Sequence, residues 1–396
     1  MKPPPSPPLP LLPMHLALSL GCWLSSPFAW ASAKNGWPAS SSNYSPESHA
    51  ALRQALAGEA KSRAHDLLSG ILRYYETPYK RDLKEPPCIW QRGNARLLDY
   101  EVTAAAHQPV TLFIPSLINR YYILDLDKER SLLRFMARHG IYPLVLDWGA
   151  PGEYEKDFGC DDYVTEILLP AIDFLARSAG RITLAGYCMG GNLALAATQL
   201  RQKQVAALAL LATPWDFHCR EFSSFILDKS WLPMVESLIA SEKHIPADVL
   251  QSLFYMADPW VFEKKFRRFA QLKPESREAQ EFVALERWVN DGVPMTAQAA
   301  RDCLIGWAQN NELAGGKWQV AGKKIDPAVL KMPTFIAIPQ NDRIVPQGCA
   351  AALAKATPKA HVIHPGGGHV GMIVGGQAKQ ELWLPLVTWM KTGTFK

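Results

Sequence analysis

Arg181-Ile182-Thr183-Leu184-Ala185-Gly186-Tyr187-Cys188-Met189-Gly190-Gly191-Asn192-Leu193 decides the architecture of this chain. The apolar run at its start reads as a buried strand, and the apolar run after the glycines as a helix. The glycines between them let the backbone turn sharply. The central side chain then stands in a strained, exposed position at the C-terminal edge of a sheet, the arrangement called a nucleophile elbow. Here that side chain is Cys188. The helix that follows points its N-terminus at the sulfur, and its dipole and free N–H groups favour a thiolate. The N–H of Met189 is placed to donate to an oxyanion. The plainer alternative is a buried cysteine in a glycine-rich turn.

Strand and helix signals alternate on both sides of the elbow. Residues 97–102, 110–114, 142–147 and 181–185 read as strands before it, and 207–211 after it. Helices are expected over 128–139, 163–178 and from the elbow to Leu200. This order argues for an α/β protein with a mainly parallel sheet and helices on both faces. The alternation stops at Pro214 and resumes near Pro333. The interval 214–330 looks helical and holds six of the thirteen tryptophans, so it reads as a helical cap insertion. Residues 1–48 form a proline-rich apolar segment and a linker. Residues 49–213 carry an N-terminal helix, begun by Pro46, and the first part of the core. Residues 331–396 carry the second part.

An activated thiol needs a base, and the base needs an orienting acid. After an elbow these follow in the order acid, then histidine. Strand 335–338 leads into Asn341-Asp342-Arg343, which puts Asp342 on a loop after a strand. Strand 361–363 leads into Pro365-Gly366-Gly367-Gly368-His369, which puts His369 on another. His361 and His364 are rivals for the base, but lie inside or beside the strand. A second oxyanion donor is expected in the loop after residues 110–114, from the backbone of Ser116 or Leu117. A cysteine in this place matters chemically. Its acyl product is again a thioester, ready for an alcohol, whereas serine would form a more stable oxyester.

The chain has 396 residues, 48% of them hydrophobic, and a net charge of +5. That charge is too small to argue for nucleic acid. Seven cysteines without a Cys-x-x-Cys pair suggest free thiols, not a disulfide framework or a zinc site. No phosphate loop, dinucleotide fingerprint or metal-ligand spacing is present, so no metal and no cofactor is expected. Lys264, Lys265, Arg267 and Arg268 read as a solvated helix face. Residues 14–33 are apolar and end Ala29-Trp30-Ala31-Ser32-Ala33, a pattern like an export cleavage site. Only Lys2 charges the start, and Pro27 interrupts the run. An apolar arm kept on a cytoplasmic protein is the expectation, with export as the alternative.

Longer stretches carry a resemblance. Ile114-Pro115-Ser116-Leu117-Ile118-Asn119-Arg120-Tyr121-Tyr122-Ile123-Leu124-Asp125-Leu126, Leu146-Asp147-Trp148-Gly149 and Thr213-Pro214-Trp215-Asp216-Phe217 resemble motifs of the polyhydroxyalkanoate synthases. Glu286-Arg287-Trp288-Val289-Asn290-Asp291 is similar to a segment of their class III members. The resemblance implies an α/β-hydrolase fold. It places the nucleophile on Cys188, the base on His369 and the acid on Asp342. It implies a 3-hydroxyacyl-CoA substrate, a polyester product or granule, and a homodimer or a complex with a non-catalytic subunit. Coenzyme A would then be part of the substrate. Arg120 and Trp288 become candidates for substrate binding, although Arg120 fits an ion pair equally well. A cysteine hydrolase on the same fold, or a non-catalytic granule-associated relative, are the alternatives.

Overall fold

In the computed structural model, residues 9–32, 46–100, 109–221, 229–258 and 260–392 are described. Eight strands form the main sheet: β1 (Cys88–Arg92), β2 (Ala95–Asp99), β3 (Val110–Ile114), β4 (Tyr142–Asp147), β5 (Ile182–Tyr187), β6 (Val205–Leu211), β7 (Thr334–Ala337) and β8 (Ala360–Ile363). Their spatial order is β1-β2-β4-β3-β5-β6-β7-β8. The six strands from β4 to β8 run parallel, and the β1–β2 hairpin adds antiparallel pairs at one edge. Strands β5 and β7 are buried along their whole length, which is why they read as unbroken apolar runs. Helices Leu132–Arg138, Leu169–Ala179, Met189–Leu200, Gln347–Ala356 and Leu384–Thr392 accompany the sheet.

The helix expected over 128–139 starts four residues later, at Leu132. Asp127 Oδ1 accepts from the N–H groups of Glu129 and Arg130, both at 2.8 Å, and so holds a turn instead. Ser131 then caps the helix by accepting from Arg134 N at 3.0 Å, a contact worth about 1 kcal/mol. The strand expected over 97–102 is β2, which ends at Asp99; Glu101 and Val102 lie outside the described residues, as does most of the expected linker.

The described chain forms two compact units. The larger spans Asp82–Ala257 and Asp291–Lys396 and contains the sheet. The other combines the described residues of Met1–Arg81 with Asp258–Asn290. The insertion after β6 thus contributes to both. In the second unit, helix Pro46–Glu76 buries Leu67, Ile71 and Tyr74, one face of a 3.6-residue period. Helix Val261–Gln271 buries Phe262, Phe266 and Phe269. Helix Leu12–Ser32 is seated by His15, which stacks on Phe262 with ring centroids 4.0 Å apart. Among the described residues no helix is long and apolar enough to cross a membrane.

Candidate active site

Cys188 caps helix Met189–Leu200 with φ 56° and ψ −132°, a conformation that costs an L-residue free energy. The surroundings enforce it. Cys188 N–H donates to Leu211 O of β6 at 2.8 Å, and Gly191 N–H donates to Cys188 O at 2.9 Å. Gly190 lies so close to the Ile114 and Pro115 carbonyls that a Cβ there would collide with them. The helix start is therefore pressed against the end of β3, beside the loop that carries the second expected oxyanion donor.

Loops after β7 and β8 bring the two partners to this sulfur. Asp342 and His369 are both buried, at 7% and 8% exposure. His369 Nδ1 lies 2.7 Å from Asp342 Oδ2. A carboxylate only accepts, so Nδ1 carries the proton and Nε2 is the nitrogen that can take one up. The Cys188 thiol is near enough for its charge to act on the imidazole. Asp342 Oδ1 accepts from the amides of Ile344 and Val345, at 2.9 and 2.8 Å. Both carboxylate oxygens are thus engaged. Tyr187 O–H donates to His369 O at 3.2 Å and supports the loop from below. Burial, then the negative charges at Cys188 and Asp342, push the Tyr187 phenol far up, so it stays a donor.

The electrostatics of His369 follow from these neighbours. Burial is the largest influence and acts downward. The charges on Cys188 and Asp342, with the hydrogen bond to Asp342, outweigh it and raise the imidazole to about 10. A raised histidine contributes stability in full below its ordinary value of 6.5, and loses it as pH climbs through about 10. Cys188→Ala removes the first of the raising influences. The ring titration followed by NMR is expected to move down in that variant, and an unmoved midpoint would exclude the thiolate as its cause.

The other expected residues fall as follows. Met189 is the first residue of its helix, where N–H groups have no intrahelical partner. Ser116 Oγ accepts from Ile118 N at 3.2 Å, and Trp148 Nε1 donates to Pro115 O at 2.9 Å, so the loop holding Ser116 and Leu117 is fixed from both ends. Arg120 pairs with Asp291 at 3.6 Å, and Tyr122 O–H donates to the same carboxylate at 2.9 Å. Trp288 belongs to the other unit and is buried there. His361 sits in β8 stacked on Phe335, and burial lowers it, as suits a packing role. In the basic cluster, Lys265 pairs with Glu286 and Arg267 with Glu263, at 2.8 and 2.7 Å.

Cys188 opens onto an apolar cavity that the motifs did not signal. Ile118, Trp231, Leu250, Met295, Trp307 and Val345 are among its walls. Two of the insertion's tryptophans therefore line it, while Trp215 and Trp318 are core residues. Such an arrangement can acylate a thiol, hold an apolar acyl group and pass it to an acceptor. Among the described residues no group of three or more His, Cys, Asp or Glu is placed to hold a metal.

Residues 144–376, which include the elbow, Asp342 and His369, match the family model described as alpha/beta hydrolase fold. The chain belongs to this family. Residues 85–136 of this alpha/beta hydrolase match a second model, described as the N-terminus of poly-beta-hydroxybutyrate polymerase (PhaC). Its homologues include proteins named poly(3-hydroxyalkanoate) polymerase subunit PhaC. That of Haloferax mediterranei is 27% identical over 321 residues, 77% of this chain and 64% of the relative. That of Haloarcula marismortui is 26% identical over 319 residues, 76% and 66% of the two chains. That of Allochromatium vinosum is 26% identical over 291 residues, 72% and 81%. The match thus spans just under two thirds of the two haloarchaeal relatives' length.

Proposed function

We propose that this alpha/beta hydrolase is an acyltransferase that polymerises 3-hydroxyacyl-CoA into polyhydroxyalkanoate and releases coenzyme A. The observation that carries this reading is the elbow itself. A thiol, not a hydroxyl, stands at the elbow, and its charge acts on a buried imidazole paired with Asp342, in a chain whose homologues are named polymerase subunits.

His369 takes the thiol proton, and the Cys188 thiolate attacks the carbonyl carbon of the CoA thioester. The N–H of Met189, with Ser116 or Leu117 as second donor, stabilises the oxyanion. As it collapses, the bond to CoA breaks and the CoA sulfur takes the proton back from His369. The hydroxyl of another 3-hydroxyacyl group then attacks the acyl-enzyme. His369 accepts its proton, an ester bond forms, and the Cys188 thiolate leaves. Asp342 orients the imidazole and stabilises its charge; the engagement of both its oxygens supports this role over direct activation of the hydroxyl. Each proton is moved by the chain's own residues, and coenzyme A enters only as part of the substrate.

Thioester substrates and a reactive thiol suit the cytoplasm, at the surface of a polymer granule. A homodimer or a non-catalytic partner subunit fits the word subunit in the relatives' names. Leu68 and Leu72 of helix Pro46–Glu76, 42% and 62% exposed, support a partner or granule contact by that unit. The purified protein is expected to release CoA from 3-hydroxybutyryl-CoA and to accumulate polymer. Free 3-hydroxy acid without polymer would make it a cysteine hydrolase instead, and no CoA release would make it a binding protein.

A further inference from the structure

Cys160 and Cys303 stand 143 residues apart in the chain, yet their sulfurs meet at 3.7 Å. Neither takes part in the chemistry given above for Cys188. Cys160 begins the short helix Cys160–Asp162 and is buried. Cys303 lies in the helical segment Asp302–Gln309 of the insertion, is only partly buried, and lines the cavity onto which Cys188 opens. The two backbones are already tied side by side. Asp302, the neighbour of Cys303, accepts from Cys160 N–H through Oδ2 at 2.7 Å, and Gln298 Nε2 donates to its Oδ1 at 2.8 Å. A Cβ on Gly159 would crowd that Oδ2, so a glycine lets the segments lie this close. Disulfide sulfurs are about 2.05 Å apart, which leaves a gap of about 1.7 Å to close. With the backbones held by Asp302, rotation of the two side chains is the route.

We propose that Cys160 and Cys303 are a site of reversible oxidation, which hydrogen peroxide closes to a disulfide that staples the insertion to the helix start at Cys160. Cys303 reacts first, since the cavity gives peroxide a way to it. Its sulfur attacks the peroxide O–O bond and becomes a sulfenic acid, and one water leaves with the thiol proton. Burial holds the Cys160 thiol well up, so it waits for the sulfenic acid. The Cys160 sulfur then attacks the Cys303 sulfur. The S–S bond forms, the S–O bond breaks, and the hydroxyl leaves with the Cys160 proton as a second water. Two thiols have given up two electrons, and one peroxide has become two waters. A dithiol reductant reopens the pair, as suits a compartment where disulfides are transient and redox-sensing. Cys303, Leu304, Trp307 and Ala308 of the stapled segment all line the cavity, so closure fixes one of its sides. The inference does not depend on the acyltransferase reading.

The test treats the full-length wild-type protein with a modest excess of hydrogen peroxide, alkylates the remaining thiols and digests with trypsin without reduction. Residues 157–177, which hold Cys160, are expected to appear joined to residues 302–317, which hold Cys303, and dithiothreitol is expected to separate them. The oxidised protein is expected to melt about 5 °C or more above the reduced one, because the bond closes a long loop. Cys303→Ala is expected to show neither the joined peptides nor the melting shift. Recovery of both wild-type peptides alkylated and separate would overturn the inference. So would Cys303 joined instead to residues 182–201, which hold Cys188. These two outcomes need no variant, which covers the case of a variant that fails to fold. A melting shift of the same size in Cys303→Ala would overturn the staple.

Discussion

Cys188→Ala is expected to stop CoA release from 3-hydroxyacyl-CoA, a loss on the order of 10,000-fold or more, as for other enzymes stripped of their nucleophile. The fold is expected to survive. The strained backbone at this position is held by the main-chain bonds to Leu211 and Gly191, which alanine retains. Circular dichroism and the melting temperature therefore separate lost chemistry from lost structure. Cys188→Ser is the subtler companion. Serine would form an oxyester that gives up its acyl group less readily, so transfer is expected to slow more than acylation does. Retention of most activity in the alanine variant would remove the mechanism.

His369→Gln is expected to be about as damaging, because members of a catalytic triad act as a unit. Glutamine can still meet Asp342, but it takes no proton from a thiol. Rapid-quench measurement of acyl-enzyme is expected to show no acylation on the time scale of wild-type turnover. Asp342→Asn acts through the same imidazole. The asparagine N–H₂ would face Nδ1 and force the wrong tautomer, which costs roughly 10,000-fold in a well-studied triad. Acylation and transfer are then expected to fall by the same factor. A loss confined to transfer would make Asp342 the base for the hydroxyl after all.

The core of this site was legible because its parts carry local signals. A cysteine between glycines, after one apolar run and before another, leaves few alternatives to an elbow. Asp342 and His369 were legible by order and by the strands that precede them. Other features carry no such signal, or one that competes with a neighbour. Strand β1 follows Pro86 and Pro87, which read as breakers. Yet Gly93-Asn94 is the two-residue loop of a hairpin, and Gly93 has the φ of 56° that such loops need. The helix starts at Leu132 and not at residue 128 because the Asp127 side chain holds a turn that competes with helix. The association of Asp258–Asn290 with the N-terminal helices was beyond reach, since an apolar stripe shows that a helix has a partner but not which one. The same limit hid the cavity, whose walls come from well-separated parts of the sequence.

One consequence of the strand order concerns synthesis of the chain. Leu211 of β6 pairs with Ala337 of β7 across the whole insertion, and the acid and base follow only after β7 and β8. A ribosome therefore delivers the thiol well before its imidazole. Throughout that interval the nascent chain holds Cys188 without the group that would activate it, and a product truncated before Thr334 stays inert towards thioesters. On the proposed mechanism, acyl loading is expected only once the far edge of the sheet has been translated and docked.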